Sequence, residues 1–170
     1  MEIGKFIEEF DKAAAKDRAM KKVSETTRLI DKHIVRPYIS YEVKMNEAKR
    51  IVDLSMYVDV DGKKVFSANT PLRYMLLMMA IIRSYTDLEF DITNTLIQFD
   101  LLESRGIFDI FVNEIGADFE RFQTVLNMTV DDRIANERSL VGFFMDKAEA
   151  LSVTATALLE QLDEMNKAEE

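Results

Sequence analysis

The 170-residue chain contains no cysteine, one histidine, two prolines and five glycines, and each shortage removes a class of protein. Without cysteine there are no disulfides, thiolate zinc sites or cysteine nucleophiles. A single histidine, His33, nearly excludes histidine-rich metal sites. It also rules out di-iron bundles, which take Glu-x-x-His from each of two helices. So few turn formers argue against sandwiches and barrels and favour helices. The glycines stand apart at 4, 62, 106, 116 and 142, so there is no glycine-rich phosphate loop, and no Gly-x-Ser-x-Gly elbow offers a serine nucleophile. Long apolar runs are missing as well. Tyr74 to Ile82, flanked by Arg73 and Arg83, falls far short of the roughly 20 residues that cross a bilayer and reads as a buried core helix. The N-terminus, MEIGKFIEEF, carries acidic residues where a secretory signal has a basic start and an apolar run, which predicts cytoplasmic synthesis without export.

What is present is globular: 48% hydrophobic and 31% charged residues fit a single helical domain over 1–170. The net charge of -9 is uneven, since residues 1–50 hold 12 basic and 9 acidic side chains and the remainder 10 and 22. Such a balance makes nucleic acid an unfavourable direct partner, because phosphate backbones reward clustered Lys and Arg. The basic stretch Lys12, Lys16, Arg18, Lys21 and Lys22 reads first as a solvated helix face or as a match for acidic neighbours on another subunit.

Periodicity gives a mainly α fold, a bundle of about six to seven helices with one β-hairpin insertion. Ile3, Phe6, Ile7, Phe10 and Ala14 share a face of a helix over 2–20, and Val23, Ile30 and Ile34 mark a second over 23–35, ended by Pro37. Tyr41, Met45, Ala48 and Val52 mark a third. Ser55 to Val60 and Lys63 to Ser67, joined by Asp61-Gly62, predict a hairpin arm over 55–67, because both turn residues tolerate positive φ. Thr70 as cap and Pro71 at the first helical position open a helix that is apolar nearly all round to Tyr85, including Met75, Met78 and Met79 as core. A helix over 91–104 with Ile92, Leu96, Phe99 and Leu102 ends at Gly106, and Ile107 to Ile115 ends at Gly116. Asp118 then caps a stretch bearing Phe119, Phe122, Leu126 and Ile134, with no Pro or Gly to break it before Gly142.

Val141, Phe144, Ala148, Leu151, Ala155, Leu158, Leu162 and Met165 form a seam of alternating three- and four-residue spacings, the 3.5-residue period that keeps one stripe against a partner helix. Its two alanines and the neighbouring Gly142 favour packing within the subunit over a self-associating coiled coil. No carboxylate cluster reads as catalytic. Asp59, Asp61 and Gly62 match part of a calcium loop, but Tyr57 and Ala68 occupy its first and closing ligand positions, and the hairpin explains them better. Asp131-Asp132 is an adjacent pair, and Glu160, Asp163 and Glu164 read as a solvated acidic face. His33 reads as a surface or half-buried residue near a helix end, and Tyr74 and Tyr85 as ordinary helix-end aromatics. No metal or cofactor is expected, nor enzymatic activity.

Four stretches together, Asn69–Met75 (NTPLRYM), Ser84–Phe90 (SYTDLEF), Phe122–Asp132 (FQTVLNMTVDD) and Asn136–Leu140 (NERSL), resemble small helical proteins from the structural-gene region of tailed bacteriophages and prophages. The likeness runs over residues 20–160 and includes no catalytic signature. It implies a virion structural or assembly role, as a ring-forming neck or head-tail connector subunit or as a tail-assembly chaperone. Such a protein resides in the host cytoplasm during assembly and then in the virion, with other phage structural proteins as partners and no membrane. The expected interface residues are Tyr57, Val58, Asp61, Gly62, Val65 and Phe66 of the hairpin, with Leu158, Leu162 and Met165 of the seam. An acidic inhibitor or regulatory module that occludes a basic groove is the alternative from another class.

Overall fold

The computed structural model describes residues 1–21, 25–91, 93–137, 139, 142–145, 147–148 and 151. The protein is mainly α-helical with one two-stranded antiparallel hairpin. Its chain groups into two compact units, Met1–Thr129 and Val130–Glu170.

In the first unit, α1 (Ile3–Met20) buries Ile3, Phe6, Ile7 and Phe10 along the expected face. Asp17 continues that stripe, and its burial has a reason absent from the apolar pattern. Its carboxylate accepts the Glu25 N–H at 2.9 Å, the Thr26 N–H at 3.0 Å and the Thr26 hydroxyl at 2.7 Å, satisfying donors that the first turn of α2 (Glu25–His33) cannot pair internally. Of the apolar positions expected in this second helix, Ile30 is buried, Ile34 bridges to Thr86 beyond the helix end, and Val23 lies outside the described residues.

Helix α3 (Tyr41–Ser55) starts at Ser40, whose hydroxyl accepts the Val43 N–H. It buries Lys44, Ala48, Ile51, Val52 and Ser55, while Tyr41 is exposed, so the inward face is turned from the one the apolar spacing indicated. After the hairpin strands β1 (Tyr57–Val60) and β2 (Lys63–Phe66) comes α4 (Thr70–Tyr85), packed on α3 and joined to it by the Arg83–Glu47 ion pair. Its cap is Asn69 rather than Thr70: the Asn69 side chain accepts the Leu72 N–H at 3.0 Å, as expected of the stronger capping residue, and Pro71 sits one place further in. Met78 is buried, whereas Met75 and Met79 are half-buried.

The next helix, α5 (Thr95–Ser104), is shorter than 91–104 because the Asp91 carboxylate accepts from the Thr93 N–H and the Asn94 amide, making a turn in place of a helical start. Phe99 and Leu102 are buried, but Leu96 is exposed. Gly106, at φ 64°, adopts the left-handed conformation that lets α6 (Ile107–Ile115) follow α5 at once. Gly116 ends α6, and α7 (Ala117–Glu137) runs unbroken for 21 residues. Phe6 meets Phe111 and Phe99 meets Phe108 at ring separations of 6.0 and 5.1 Å, an aromatic core in which burying each ring is worth about 1.5–3 kcal/mol.

The second unit opens with the last turns of α7. Ser139 then accepts from Gly142 N–H through its hydroxyl and from Phe143 N–H through its carbonyl, starting a helical turn at 142–145. Phe144, Ala148 and Leu151, the seam positions among the described residues, are exposed, so the packing expected of the seam is not found at these three. Val141, Ala155, Leu158, Leu162 and Met165 lie outside the described residues.

Candidate interaction surfaces

The hairpin forms as its sequence indicates. Asp61 and Gly62 have φ values of 53° and 77°, the paired positive angles of the two-residue turn whose twist suits the strands. Tyr57 faces Phe66, Val58 faces Val65, Asp59 faces Lys64 and Val60 faces Lys63. The Asp59 carboxylate accepts the Gly62 N–H at 2.8 Å, so this carboxylate serves the turn. Pairing runs on past the strands, with Ser67 N–H donating to the Met56 carbonyl and Asn69 N–H to that of Ser55.

Alternation places Val58, Val60 and Val65 on one face and Tyr57 and Phe66, in edge-to-face contact at 6.0 Å, on the other. Val58, Val60, Val65 and Phe66 are 48, 51, 46 and 37% exposed. Among the described residues no third strand pairs with either edge. Two-stranded ribbons with apolar, unpaired surface are templates for strand addition.

A second feature is a buried polar cluster that the sequence pattern did not reveal. Lys44 Nζ donates to Asp118 Oδ1 at 2.8 Å and to the Ile39 carbonyl, and lies 4.5 Å from the centre of the Tyr38 ring. Asp118 Oδ2 accepts the Ile39 N–H at 3.2 Å and the Tyr85 hydroxyl at 2.9 Å. Asp118 therefore does not cap α7. It sits in the first turn, where a carboxylate suits the helix dipole, and reaches across to α3 and α4. Nor is Tyr85 an ordinary helix-end aromatic, since it is fully buried. The signal available in the sequence was Lys44 itself, a lysine four residues before Ala48 and seven before Ile51 on the stripe that faces inward.

Burial alone would raise the Asp118 pKa, but the hydrogen bonds from Lys44, Ile39 and Tyr85 outweigh it and hold the carboxyl below its usual value. Burial and the Asp118 carboxylate push the Tyr85 phenol strongly upward. Both carboxylate oxygens are engaged and the ammonium is pinned, so the cluster is a fixed brace with no acid or base free to act on a substrate. It fixes Tyr38 and Ile39 beside a cleft of about 320 Å³, rimmed by Tyr38, Tyr41, Arg121 and Met128. Tyr, Arg and Met are among the residues enriched at protein interfaces.

His33 is buried, not at the surface. Its Nδ1 lies 2.7 Å from Asp87 Oδ1, and because a carboxylate only accepts, Nδ1 carries the hydrogen. The Asp87 N–H returns a bond to the His33 carbonyl, and the Phe6 ring stands edge-on 5.3 Å away. The His33 Nε2 is buried, and among the described residues no group hydrogen-bonds to it. This clasp belongs to a seam of backbone bonds. Val35 and Arg36 N–H donate to the Tyr85 carbonyl, Glu89 N–H to Met1, and Ile3 N–H to Glu89, so the segment after α4 ties the end of α2 to the start of α1.

Tyr74 is partly exposed, with its hydroxyl donating to the Glu103 carboxylate. Asp131 and Asp132 are exposed, whereas Glu160, Asp163 and Glu164 lie outside the described residues. Among the described residues no group of three or more His, Cys, Asp or Glu side chains is placed to hold a metal ion, and no helix is long and apolar enough to cross a membrane.

The fold and these surfaces define a helical protein with an apolar hairpin. No family model matches the chain, and no curated protein or solved structure matches it at a significant level.

Proposed function

We propose that this chain is a non-catalytic structural or assembly subunit of a tailed-bacteriophage particle, placed in the neck or head-tail connector and acting through protein–protein contacts. The observation that carries the reading is the hairpin, a ribbon with four half-exposed apolar side chains and no third strand beside it among the described residues. An isolated two-stranded ribbon is marginal in water, and a strand or apolar surface from a neighbouring subunit completes it. The resemblance to phage structural-region proteins supplies the setting.

Size-exclusion co-elution of the full chain with each structural protein encoded beside its gene tests the proposal. Stoichiometric co-elution with one of them, weakened at least tenfold in the Val58→Thr/Val65→Thr variant, is the expected result. Thr keeps the strand propensity and removes apolar surface. Failure to bind any of them, or to bind itself, contradicts the proposal.

A second reading, an acidic inhibitor that occupies a basic groove, is favoured by the stretch 87–120, which holds nine acidic residues and one basic. Salt-sensitive binding to a nucleic-acid-binding enzyme, without binding to structural proteins, is the outcome that selects it.

A further inference from the structure

Two surfaces of the first unit are opposite in charge. Residues 12–36 hold eight basic and three acidic side chains, a net of +5, whereas residues 87–120 hold one and nine, a net of -8. Between α1 and α2 runs an open groove of about 520 Å³ with Ala13 and Leu29 on its apolar floor, Lys12 and Lys16 on one rim and Arg28 and Lys32 on the other. Glu25 at its edge is paired with Arg28, and Glu9 and Asp31 offset part of the remaining charge, so the excess is positive and is extended by Arg18 and Lys21 beyond the groove.

Helix α5 supplies the opposite pattern. It has five large apolar residues in ten, yet only Phe99 and Leu102 are buried, and Leu96 and Ile97 are 63 and 60% exposed. Leu96, Asp100 and Glu103 follow i, i+4, i+7 spacing and share a face, with Asp91 just ahead of the helix. An apolar pair bordered by carboxylates thus meets solvent where a short apolar helix would ordinarily be covered.

We infer that copies of this chain associate head to tail, with α5 of one copy seated in the α1–α2 groove of the next. The inference deepens the proposal above and rests on its premise that the chain works through protein contacts. Leu96 and Ile97 meet Ala13 and Leu29, and Asp91, Asp100 and Glu103 meet the lysine rims. A copy does not fill its own groove. Asp11 on α1 holds Arg105 at the end of α5, and Lys12 and Lys16 lie about 100–140° further round the same helix, on a different flank. Unlike surfaces paired in this way repeat from copy to copy and generate a ring when the rotation closes.

Light scattering on the full chain, wild type and two variants, tests this. Lys12→Glu/Lys16→Glu removes the groove charge and Leu96→Lys/Ile97→Lys removes the α5 surface. All four positions are exposed, and thermal melts check the fold. Each variant alone is expected at the 19.6 kDa monomer mass, and an equimolar mixture is expected to form a two-copy species, since it retains one intact groove and one intact α5. Where a melt is altered, Lys16→Gln or Leu96→Ser replaces that variant, with association weakened severalfold. Variants that keep the wild-type mass, or a mixture that stays monomeric, overturn the inference. A monomeric wild type that still binds a neighbour-encoded structural protein overturns it and leaves the proposed function standing, whereas one that binds nothing overturns both.

Discussion

Lys44 Nζ and Asp118 Oδ1 lie 2.8 Å apart across 74 residues of sequence, with both side chains buried. The pair ties α3 to the start of α7, and Tyr85 brings α4 to the same carboxylate. A charge taken from water at this depth is tolerated only while its partner is present.

Lys44→Met and Asp118→Leu are each expected to cost about 3–5 kcal/mol, because each leaves the opposite charge buried alone. Made together, they are expected to cost less than the sum of the two. Urea unfolding of the two single variants and the double variant measures the coupling, and strictly additive losses would refute it.

Acid acts through the same carboxylate. Burial raises the Asp118 pKa, but its three hydrogen bonds more than offset burial and hold it below 3.8. The native state then binds fewer protons than the unfolded chain in this window, so the contribution is present above about pH 4 and is lost as pH falls through the lowered native value. Melting temperatures of wild type and Asp118→Asn, followed downward from neutrality, should converge below that point. A constant difference to the lowest pH would rule the mechanism out.

Alkali probes the phenols. Burial, then the Glu103 carboxylate, pushes the Tyr74 pKa up to about 12, and burial with Asp118 pushes Tyr85 higher still. With native values raised, the stabilisation is intact below about pH 10 and disappears as pH rises through the native value. In a phenolate absorbance titration, Tyr74→Phe should remove a late step and Tyr85→Phe the step that accompanies unfolding. An unchanged titration in either variant would show that its hydroxyl is not held as described.

At the hairpin tip, Gly62→Ala is expected to cost about 1 kcal/mol locally, from its positive φ of 77° and not from crowding, since an added Cβ meets nothing within 4 Å. Asp61→Asn should be tolerated, because Asn-Gly suits the same turn. Hydrogen exchange at residues 57–66 reports both: faster exchange in the first with an unchanged global melt, and no change in the second.

Local rules carried the reading of the helices and the hairpin. The buried face of α1, the Asp61-Gly62 turn with its register, and the stops near Gly106 and Gly116 all follow from spacing and backbone preference within a few residues. The features that escaped share a different cause. Asp17, Lys44 and Asp118 are charged residues on inward faces, and whether such a residue is buried depends on partners 5 to 79 positions away, which periodicity does not encode. His33 escaped for the same reason, its partner Asp87 being 54 positions distant. Leu96 failed in the other direction, as an apolar residue expected on the inward face that the fold leaves uncovered.

The molar mass of the full chain in solution, measured by light scattering over a wide concentration range with and without the structural proteins encoded beside its gene, tests most directly whether it works through protein contacts. A discrete multimer of the 19.6 kDa chain, or a stoichiometric complex with one of those proteins, is the expected result. A monomer at every concentration that joins none of them would contradict it.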